Sequence, residues 1–373
     1  MSRKTIVVSA VNLRKGGTLS ILRQCLSYLS QRAEQDSGLR IVAIVHNRTL
    51  ADYPNIEYLE MPKAVNSWAR RLWYEYVTFK SVSKKLAPVY LWLSLHDTTP
   101  RVDAAHRAVY CQTSFPFLKF SFSDIIYDYK IALFSLFTRY AYRINIHKND
   151  YVIVQSEWLK KGFSKMFHLD SSRFIVAPPQ KKPIGEKEED ARLTAGKYTF
   201  LYPATPDCHK NFECVCEAAK LLEIEIGSSF QVILTISGSE NRYSQSLFNQ
   251  YGHNLQSLKF VGFLDKQTLN KYYWSSHCLI FPSRIETWGL PISEFAMMGK
   301  PMLLADMPYS HETAAGSHLV AFFDAQDSLS LKELMKKLVT GDSDCFQTVP
   351  SINYQGHFAA NWKDLFDFLN RLD

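Results

Sequence analysis

The chain has 373 residues, which is long enough for two domains of ordinary size. Hydrophobic residues make up 46% of it and charged residues 21%, a composition that excludes a disordered chain. The seven cysteines lack the spacing of a disulfide framework, and the first apolar run is too short for a signal peptide or a membrane span. We therefore expect a cytoplasmic protein.

The first half of the chain alternates short β-branched runs with helical patterns, and this alternation predicts a parallel sheet. Residues 177–197 are rich in Pro, Gly and charge and are predicted to be a linker. The predicted strands before it are KTIVVSAV, LRIVAIVHN, VYLWLSLHD, RAVYCQTS and DYVIVQS.

A second alternation follows the linker, with predicted strands YTFLYPA, QVILTISG, LKFVGF, HCLIFPS and PMLLAD. The predicted fold class is α/β, with two Rossmann-like doubly wound domains facing a central cleft. We place the N-terminal domain at residues 1–182 and the C-terminal domain at 183–350. Residues 351–373 should form an amphipathic helix that packs on either domain, including by crossing back to the N-terminal one.

Two motifs stand directly after predicted strands, where open α/β sheets bind their ligands. Gly16 and Gly17 open the first predicted helix, where they either allow close approach to an anion or form an ordinary turn. Lys210 follows the strand YTFLYPA and either neutralises a phosphate or is a solvated surface lysine.

The stretch PSRIETWGLPISEF carries two carboxylates, Glu286 and Glu294, on either side of a Gly-Leu-Pro turn. Pro291 predicts a helix that starts there and runs to Met298. Glu294 then lies near the first turn of that helix, where it could simply compensate the helix dipole. Glu286 lies in the preceding loop, where helix chemistry does not require an acid.

This stretch resembles the E-x7-E signature of the retaining glycosyltransferases of family 4, which have the two-domain fold called GT-B. The segments VIVQSEWLKKGF, YPA...HKN, LTISGSE and KFVGFLD resemble that family in the expected order. The resemblance implies that Glu294 holds the ribose of a nucleotide sugar and that Glu286 lies beside the donor sugar. It also implies a diphosphate at the backbone N–H groups near Gly289 and Leu290.

Further donor contacts are implied by the same resemblance. Lys210 would neutralise the leaving diphosphate, and Gly17, with Gly16 beside it, would approach it from the other domain. Backbone around Phe263 would meet the nucleobase, and Gly238 in LTISGSE would belong to the same site. The resemblance implies no metal and no cofactor other than the donor itself.

The sequence departs from the family at Thr205, where the family commonly has an arginine that contacts the diphosphate. Arg284, Lys15 and His209 are candidates to replace this arginine, and we expect Arg284 to be the first to test.

A second departure is Gln112, which stands where the family usually has a histidine. Glutamine can hydrogen-bond a sugar hydroxyl but cannot carry a proton. His96 and Asp97 are then the nearest histidine and carboxylate, and either could assist the acceptor hydroxyl as a base. Asp97 could equally cap the turn before Thr98.

Charge is distributed unevenly along the chain. Residues 1–182 contain 27 Lys and Arg against 13 Asp and Glu, whereas the remainder has an acidic excess. Residues 63–85 and 115–148 combine cations with aromatics, so they either face an anionic membrane or pack their aromatic faces on the sheet. No nucleic-acid-binding motif accompanies this charge, and we expect no nucleic acid partner.

The motif Asp342-Ser343-Asp344 has a form used elsewhere to hold a divalent cation, but it falls in a polar loop and no metal is assigned to it. The resemblance thus implies a retaining, metal-independent hexosyltransferase that moves a sugar from a nucleotide diphosphate donor to a growing glycan, and we expect a lipid-linked acceptor. The alternatives are a nucleotide-sugar epimerase of the same shape and a non-catalytic nucleotide-sugar-binding protein.

Overall fold

The computed structural model describes residues 3–120, 122–180, 184–186 and 196–372. The chain divides into two compact units. The first contains residues 1–116, 136–180 and 354–373, and the second contains residues 117–135 and 181–353. Most of the predicted linker 177–197 lies outside the described residues.

The first part of the chain forms the elements β1 (Lys4–Ala10), α1 (Gly16–Gln35), β2 (Leu39–Val45), β3 (Ile56–Glu60), α2 (Trp68–Trp73), α3 (Phe79–Lys85), β4 (Leu91–Ser94), β5 (His106–Cys111), α4 (Phe122–Arg143, kinked at Asp128), β6 (Tyr151–Val154), α5 (Glu157–Phe167) and β7 (Phe174–Val176). A π-helical turn at Tyr74–Thr78 joins α2 to α3.

The second part forms β8 (Tyr198–Tyr202), α6 (Phe212–Ile226), β9 (Phe230–Leu234), α7 (Arg242–Leu247), β10 (Leu258–Phe260), α8 (Lys266–Ser275), β11 (Cys278–Phe281), α9 (Leu290–Ala296), β12 (Met302–Ala305), α10 (Pro308–Thr313), β13 (Val320–Phe323) and α11 (Ser328–Val339). The chain ends in β14 (His357–Phe358) and α12 (Trp362–Asn370), which belong to the first unit.

Each unit is built on one parallel sheet. Among the described residues of the first unit, eight strands pair in the order β14-β7-β6-β5-β4-β1-β2-β3. In the described part of the second unit, six strands pair in the order β10-β9-β8-β11-β12-β13. Strand order reverses between β1 and β4 in the first sheet and between β8 and β11 in the second, and ligands of open α/β sheets bind at such reversals.

The inner strands of the first sheet are mostly buried and apolar on both faces, as is typical of parallel sheets covered by helices on both sides. Ile6 and Val8 pack into a core with α1 and α12, whereas Val7 points into a second core with Phe79 and Trp92. The predicted C-terminal helix is therefore part of the first unit, where Phe366 stacks on Tyr28 at 5.4 Å between ring centroids.

Within the described part of the chain, no helix is both long enough and apolar enough to cross a membrane.

Candidate nucleotide-sugar site

The loops that follow β8 and β11 bring Lys210 and Glu286 together. Lys210 ends a short turn after β8, Glu286 lies in the loop after β11, and the Lys210 ammonium forms an ion pair with Glu286 Oε1. The two loops are tied to each other because the Arg284 N–H donates to the His209 carbonyl at 2.8 Å. Both charged side chains retain some exposure, at 15% each, so the pair lies at the surface of the strand reversal.

Two side chains of α8 hold the Glu294 carboxylate in place. The Tyr273 hydroxyl donates to Glu294 Oε2 at 2.8 Å, and the Lys266 ammonium pairs with Oε1. Burial, followed by the charge of Glu294, raises the pKa of Tyr273, so the phenol remains a donor. The carboxylate is thus oriented on α9 before any ligand contact.

The turn between the two glutamates requires its glycine. Gly289 has φ +90°, and a Cβ there would lie 3.2 Å from Ile292 Cδ1. The helix after it covers Leu290–Ala296, one residue earlier at its start and two earlier at its end than the sequence predicts. Leu290 is exposed at this turn.

The Arg284 guanidinium is already engaged in an ion pair with Asp124. It makes a two-pronged ion pair with the buried carboxylate of Asp124, with Nη1 3.0 Å from Oδ2, and Nη2 also donates to the Cys208 carbonyl. The pair forms within the second unit, since Asp124 lies at the start of α4. The role predicted for Arg284 at the diphosphate stays a prediction. A diphosphate contact would have to share the guanidinium with Asp124.

The other candidates for the missing arginine differ in charge and place. Burial lowers the pKa of His209 well below its usual range, and Lys210 and Arg284 lower it further, so His209 is neutral. Lys15 is exposed beside α1 in the first unit. The Thr205 hydroxyl donates to Asp207 at 2.6 Å.

The two remaining predicted donor contacts lie after β9 and β10. Gly238 has φ +89°, and a Cβ there would lie 2.4 Å from Phe248 Cβ, so the loop requires glycine twice over. Phe263 is 85% exposed, next to Gly262, whose N–H donates to the Ile236 carbonyl in the loop after β9. The backbone at Phe263 is thus held in place while its ring remains open to solvent.

In the first unit, Gly16 and Gly17 begin α1 directly beyond β1. Gly16 has φ +61°, which explains the glycine there. A Cβ at Gly17 would meet no atom within 4 Å, so this turn is open and exposed.

The structure changes the predicted pairing of His96. This fully buried side chain places Nδ1 3.2 Å from Glu75 Oε1 and 3.1 Å from Thr98 Oγ1, so its carboxylate partner is Glu75 rather than Asp97. Arg71 pairs with the same Glu75 and also donates to the His96 carbonyl at 2.7 Å.

Electrostatics in this buried cluster favour an ionised glutamate. Burial alone would raise the pKa of Glu75, but the charges of His96 and Arg71 and hydrogen bonds from His96 and Thr98 outweigh it and lower the pKa to about 2. The sequence reasoning missed Glu75, although its position four residues after Arg71 on a helical pattern is a signal of such a pair.

Asp97 and Gln112 are joined by a hydrogen bond. The Gln112 N–H donates to Asp97 Oδ1 at 2.5 Å, and its side-chain amide donates to the Leu95 carbonyl at 2.6 Å. Burial raises the pKa of Asp97, and its φ of +68° marks a tight turn at the end of β4. These contacts support the turn-forming role left open for Asp97.

The predicted polar loop at Asp342-Ser343-Asp344 is a turn in which the Asp344 N–H donates to Asp342 Oδ1. Within the described residues, no group of three or more His, Cys, Asp or Glu side chains is arranged to hold a metal ion.

Residues 184–348 match the sequence model of the family described as Glycosyl transferases group 1. The chain is 22% identical over 208 residues to the O-antigen chain mannosyltransferase RfbU of Salmonella typhimurium, covering 54% of this chain and 55% of that protein. The alignments span about half the length of the curated relatives that the chain matches.

Two solved structures resemble the chain over nearly its whole length. One is WaaG, a glycosyltransferase involved in lipopolysaccharide biosynthesis, with a TM-score of 0.63, 15% identity and 90% of each chain covered. The other is Anabaena Alr3699/HepE in complex with UDP-glucose, with a TM-score of 0.63, 12% identity and coverage of 90% of this chain and 89% of that one. The predicted fold class, GT-B with two Rossmann-like domains, is confirmed.

Proposed function

We propose that the chain is a retaining glycosyltransferase that moves a hexose from a nucleotide diphosphate sugar to a growing glycan acceptor. The observation that carries the proposal is the Lys210–Glu286 pair, which lies beyond two neighbouring strands where strand order reverses. This pair falls inside the segment that matches the glycosyltransferase family model.

The residues can supply what cleavage of a sugar–phosphate bond requires. Negative charge grows on the departing diphosphate, and a fixed ammonium such as that of Lys210 stabilises it. Glu286, on the other arm of the ion pair, would face the sugar, where positive charge develops. Glu294 would accept hydrogen bonds from the ribose hydroxyls, since Tyr273 and Lys266 already orient its carboxylate. No step in this scheme needs a metal ion.

Names of the relatives support a surface glycan as the acceptor. RfbU is named an O-antigen chain mannosyltransferase and WaaG is named for lipopolysaccharide biosynthesis. We extend this to a hexose, such as mannose, delivered to a lipid-linked glycan at the cytoplasmic side of a membrane.

The donor can be identified with thermal shift measurements on UDP, GDP, dTDP and their hexose derivatives, because a matched ligand stabilises the folded chain by mass action. Turnover with the matched donor is then followed with an acceptor present, and the anomeric configuration of the product is read by NMR. Retention supports the proposal. Free epimerised sugar without acceptor would identify an epimerase, and a thermal shift without turnover would identify a binding protein.

The variant Glu286→Gln tests the site itself. We expect turnover to fall at least ~100-fold, the loss typical of removing a group that acts on transition-state charge, while nucleoside diphosphate affinity changes less than ~3-fold. Glu333→Gln is a matched control, because Glu333 also pairs with a lysine of the second unit but lies far along the sequence on α11. Equal losses for both variants would contradict the assignment.

A further inference from the structure

The helix α4 exposes a stripe of large apolar side chains. In the part that belongs to the first unit, the large apolar side chains at positions 136, 137, 140 and 144 recur at the spacing of a single helix face, and each is exposed. Phe137 and Tyr140 are each 61% exposed. An ordinary surface helix turns such a stripe toward the core, so this arrangement is reversed.

The opposite face of the same helix is anchored in the first unit. Thr138 and Tyr142 are buried, and the Tyr142 ring lies 6.4 Å from that of Phe163. Tyr142 also interacts electrostatically with Asp97 and Arg71 of the buried cluster. The helix therefore cannot rotate to bury its apolar face without breaking these contacts.

We define the apolar stripe as Leu136, Phe137, Tyr140 and Ile144, all of which belong to the first unit. We propose that this stripe docks on an anionic lipid bilayer, with α4 lying in the plane of the membrane interface. Such helices insert an apolar face at the headgroup boundary while flanking cations attract anionic lipids.

The positive charge around the stripe favours an anionic lipid bilayer over a second copy of the chain as its partner. Residues 129–149 contain four Lys and Arg and no Asp or Glu. Arg139 and Arg143 are exposed and border the stripe on the helix. A second copy meeting this face about a two-fold axis would bring like charges together, which disfavours self-association.

Trp73 is a second exposed aromatic side chain of the first unit that fits a membrane partner. It is 62% exposed and lies two residues after Arg71, which interacts electrostatically with Tyr142. Tryptophan is enriched at the headgroup level of membranes, so its exposure beside cations agrees with the same partner. The basic aromatic segments were expected either to face an anionic membrane or to pack on the sheet, and the exposure of the stripe favours the membrane for its residues.

The role that we give to membrane docking, access to a lipid-linked acceptor, rests on the proposed function. The binding itself does not depend on catalysis. Vesicle binding without transfer would refute the proposed function alone, and transfer without vesicle binding would refute the docking alone.

The test is sedimentation of the full chain with vesicles of phosphatidylcholine, with and without phosphatidylglycerol, at low and high salt. We expect salt-sensitive binding to the anionic vesicles. Replacing two stripe residues, Phe137→Ser with Tyr140→Ser, should weaken it at least ~tenfold. Arg139→Gln with Arg143→Gln should weaken binding and reduce its dependence on salt.

The matched control is Ile224→Ser with Leu329→Ser, which removes two exposed apolar side chains from the second unit. Circular dichroism on all variants verifies folding. Absence of wild-type binding to anionic vesicles overturns the proposal, as does an equal loss in the control. A wild-type dimer that the stripe variants dissociate, without vesicle binding, would assign the face to a second copy instead.

Discussion

His96 and Glu75 form a completely buried histidine–carboxylate pair, with Nδ1 3.2 Å from Oε1. Glu75 lies in the π-helical turn between α2 and α3, and such turns are frequent at functional sites. The Thr98 hydroxyl donates to the second oxygen of the carboxylate at 2.5 Å. The pair thus connects the helices of the first unit to the end of β4, next to the reversal of strand order.

Glu75→Gln should destabilise the first unit strongly. Removing one member of a buried ion pair leaves Arg71 without its carboxylate, which typically costs about 3–5 kcal/mol. The free energy of unfolding at neutral pH, measured in urea, gives the loss. Glu57→Gln is the control, because Glu57 pairs with Arg40 at the exposed edge strand and should cost no more than about 1 kcal/mol.

The same pair predicts a pH dependence. The folded pKa of Glu75 is about 2 and its ordinary value is 4.5, so its stabilising contribution is complete above 4.5 and is lost as pH falls toward 2. The difference in unfolding free energy between wild type and Glu75→Gln should therefore shrink by about 1.4 kcal/mol per pH unit below 4.5. A difference that stays constant down to the acid limit of the folded chain would contradict an ionised Glu75.

Arg284 and Asp124 should behave as one energetic unit. Either single variant, Arg284→Gln or Asp124→Asn, leaves a buried charge unpaired and should cost about 3 kcal/mol, whereas the double variant should cost less than the sum. A double-mutant cycle in urea measures this coupling.

Donor binding decides whether Arg284 also replaces the arginine missing at Thr205. If the ion pair is its main role, Arg284→Gln and Asp124→Asn should change nucleoside diphosphate affinity by the same factor. A tenfold loss, about 1.4 kcal/mol, confined to Arg284→Gln would instead assign Arg284 to the diphosphate.

Glu294 should contribute to binding rather than to turnover. Glu294→Gln removes charged acceptors for the ribose and should raise the Kd of the matched nucleoside diphosphate roughly tenfold, about 1.4 kcal/mol, with little change in kcat. Tyr273→Phe keeps Glu294 but removes the hydroxyl that orients it, so a smaller rise in Kd is expected. A fall in kcat with unchanged Kd would reverse the roles given to Glu294 and Glu286.

Strand positions were largely predictable from apolar runs in the sequence. The ten predicted strands correspond to observed ones because each contains a short, mainly apolar run. Ile56–Glu60 was missed because it is an edge strand, where outward charges such as Glu57 and Glu60 interrupt the apolar run. Val320–Phe323, the apolar edge strand of the second sheet, is not among the predicted strands either, although it is as long as β11 and β12.

Side-chain pairing was less predictable than strand position. Lys210 and Glu286 could be placed at neighbouring strand ends because their motifs follow strands directly. Glu75 could not be paired with His96 in the same way, because it lies in a basic, aromatic helical segment and meets the end of β4 only through tertiary packing.

Gly238→Ala should destabilise the second unit more than an alanine at an open glycine. The positive φ costs about 1 kcal/mol for a residue with a Cβ, and the new Cβ would lie 2.4 Å from Phe248 Cβ, so the loop or the ring must shift at a further cost of about 1–3 kcal/mol. Gly299→Ala is the control, since Gly299 has φ +63° but no atom within 4 Å of a Cβ, and only the first cost applies. Urea unfolding compares the two. Equal losses would mean that Phe248 moves aside at no cost, and the steric requirement for glycine at position 238 would be contradicted.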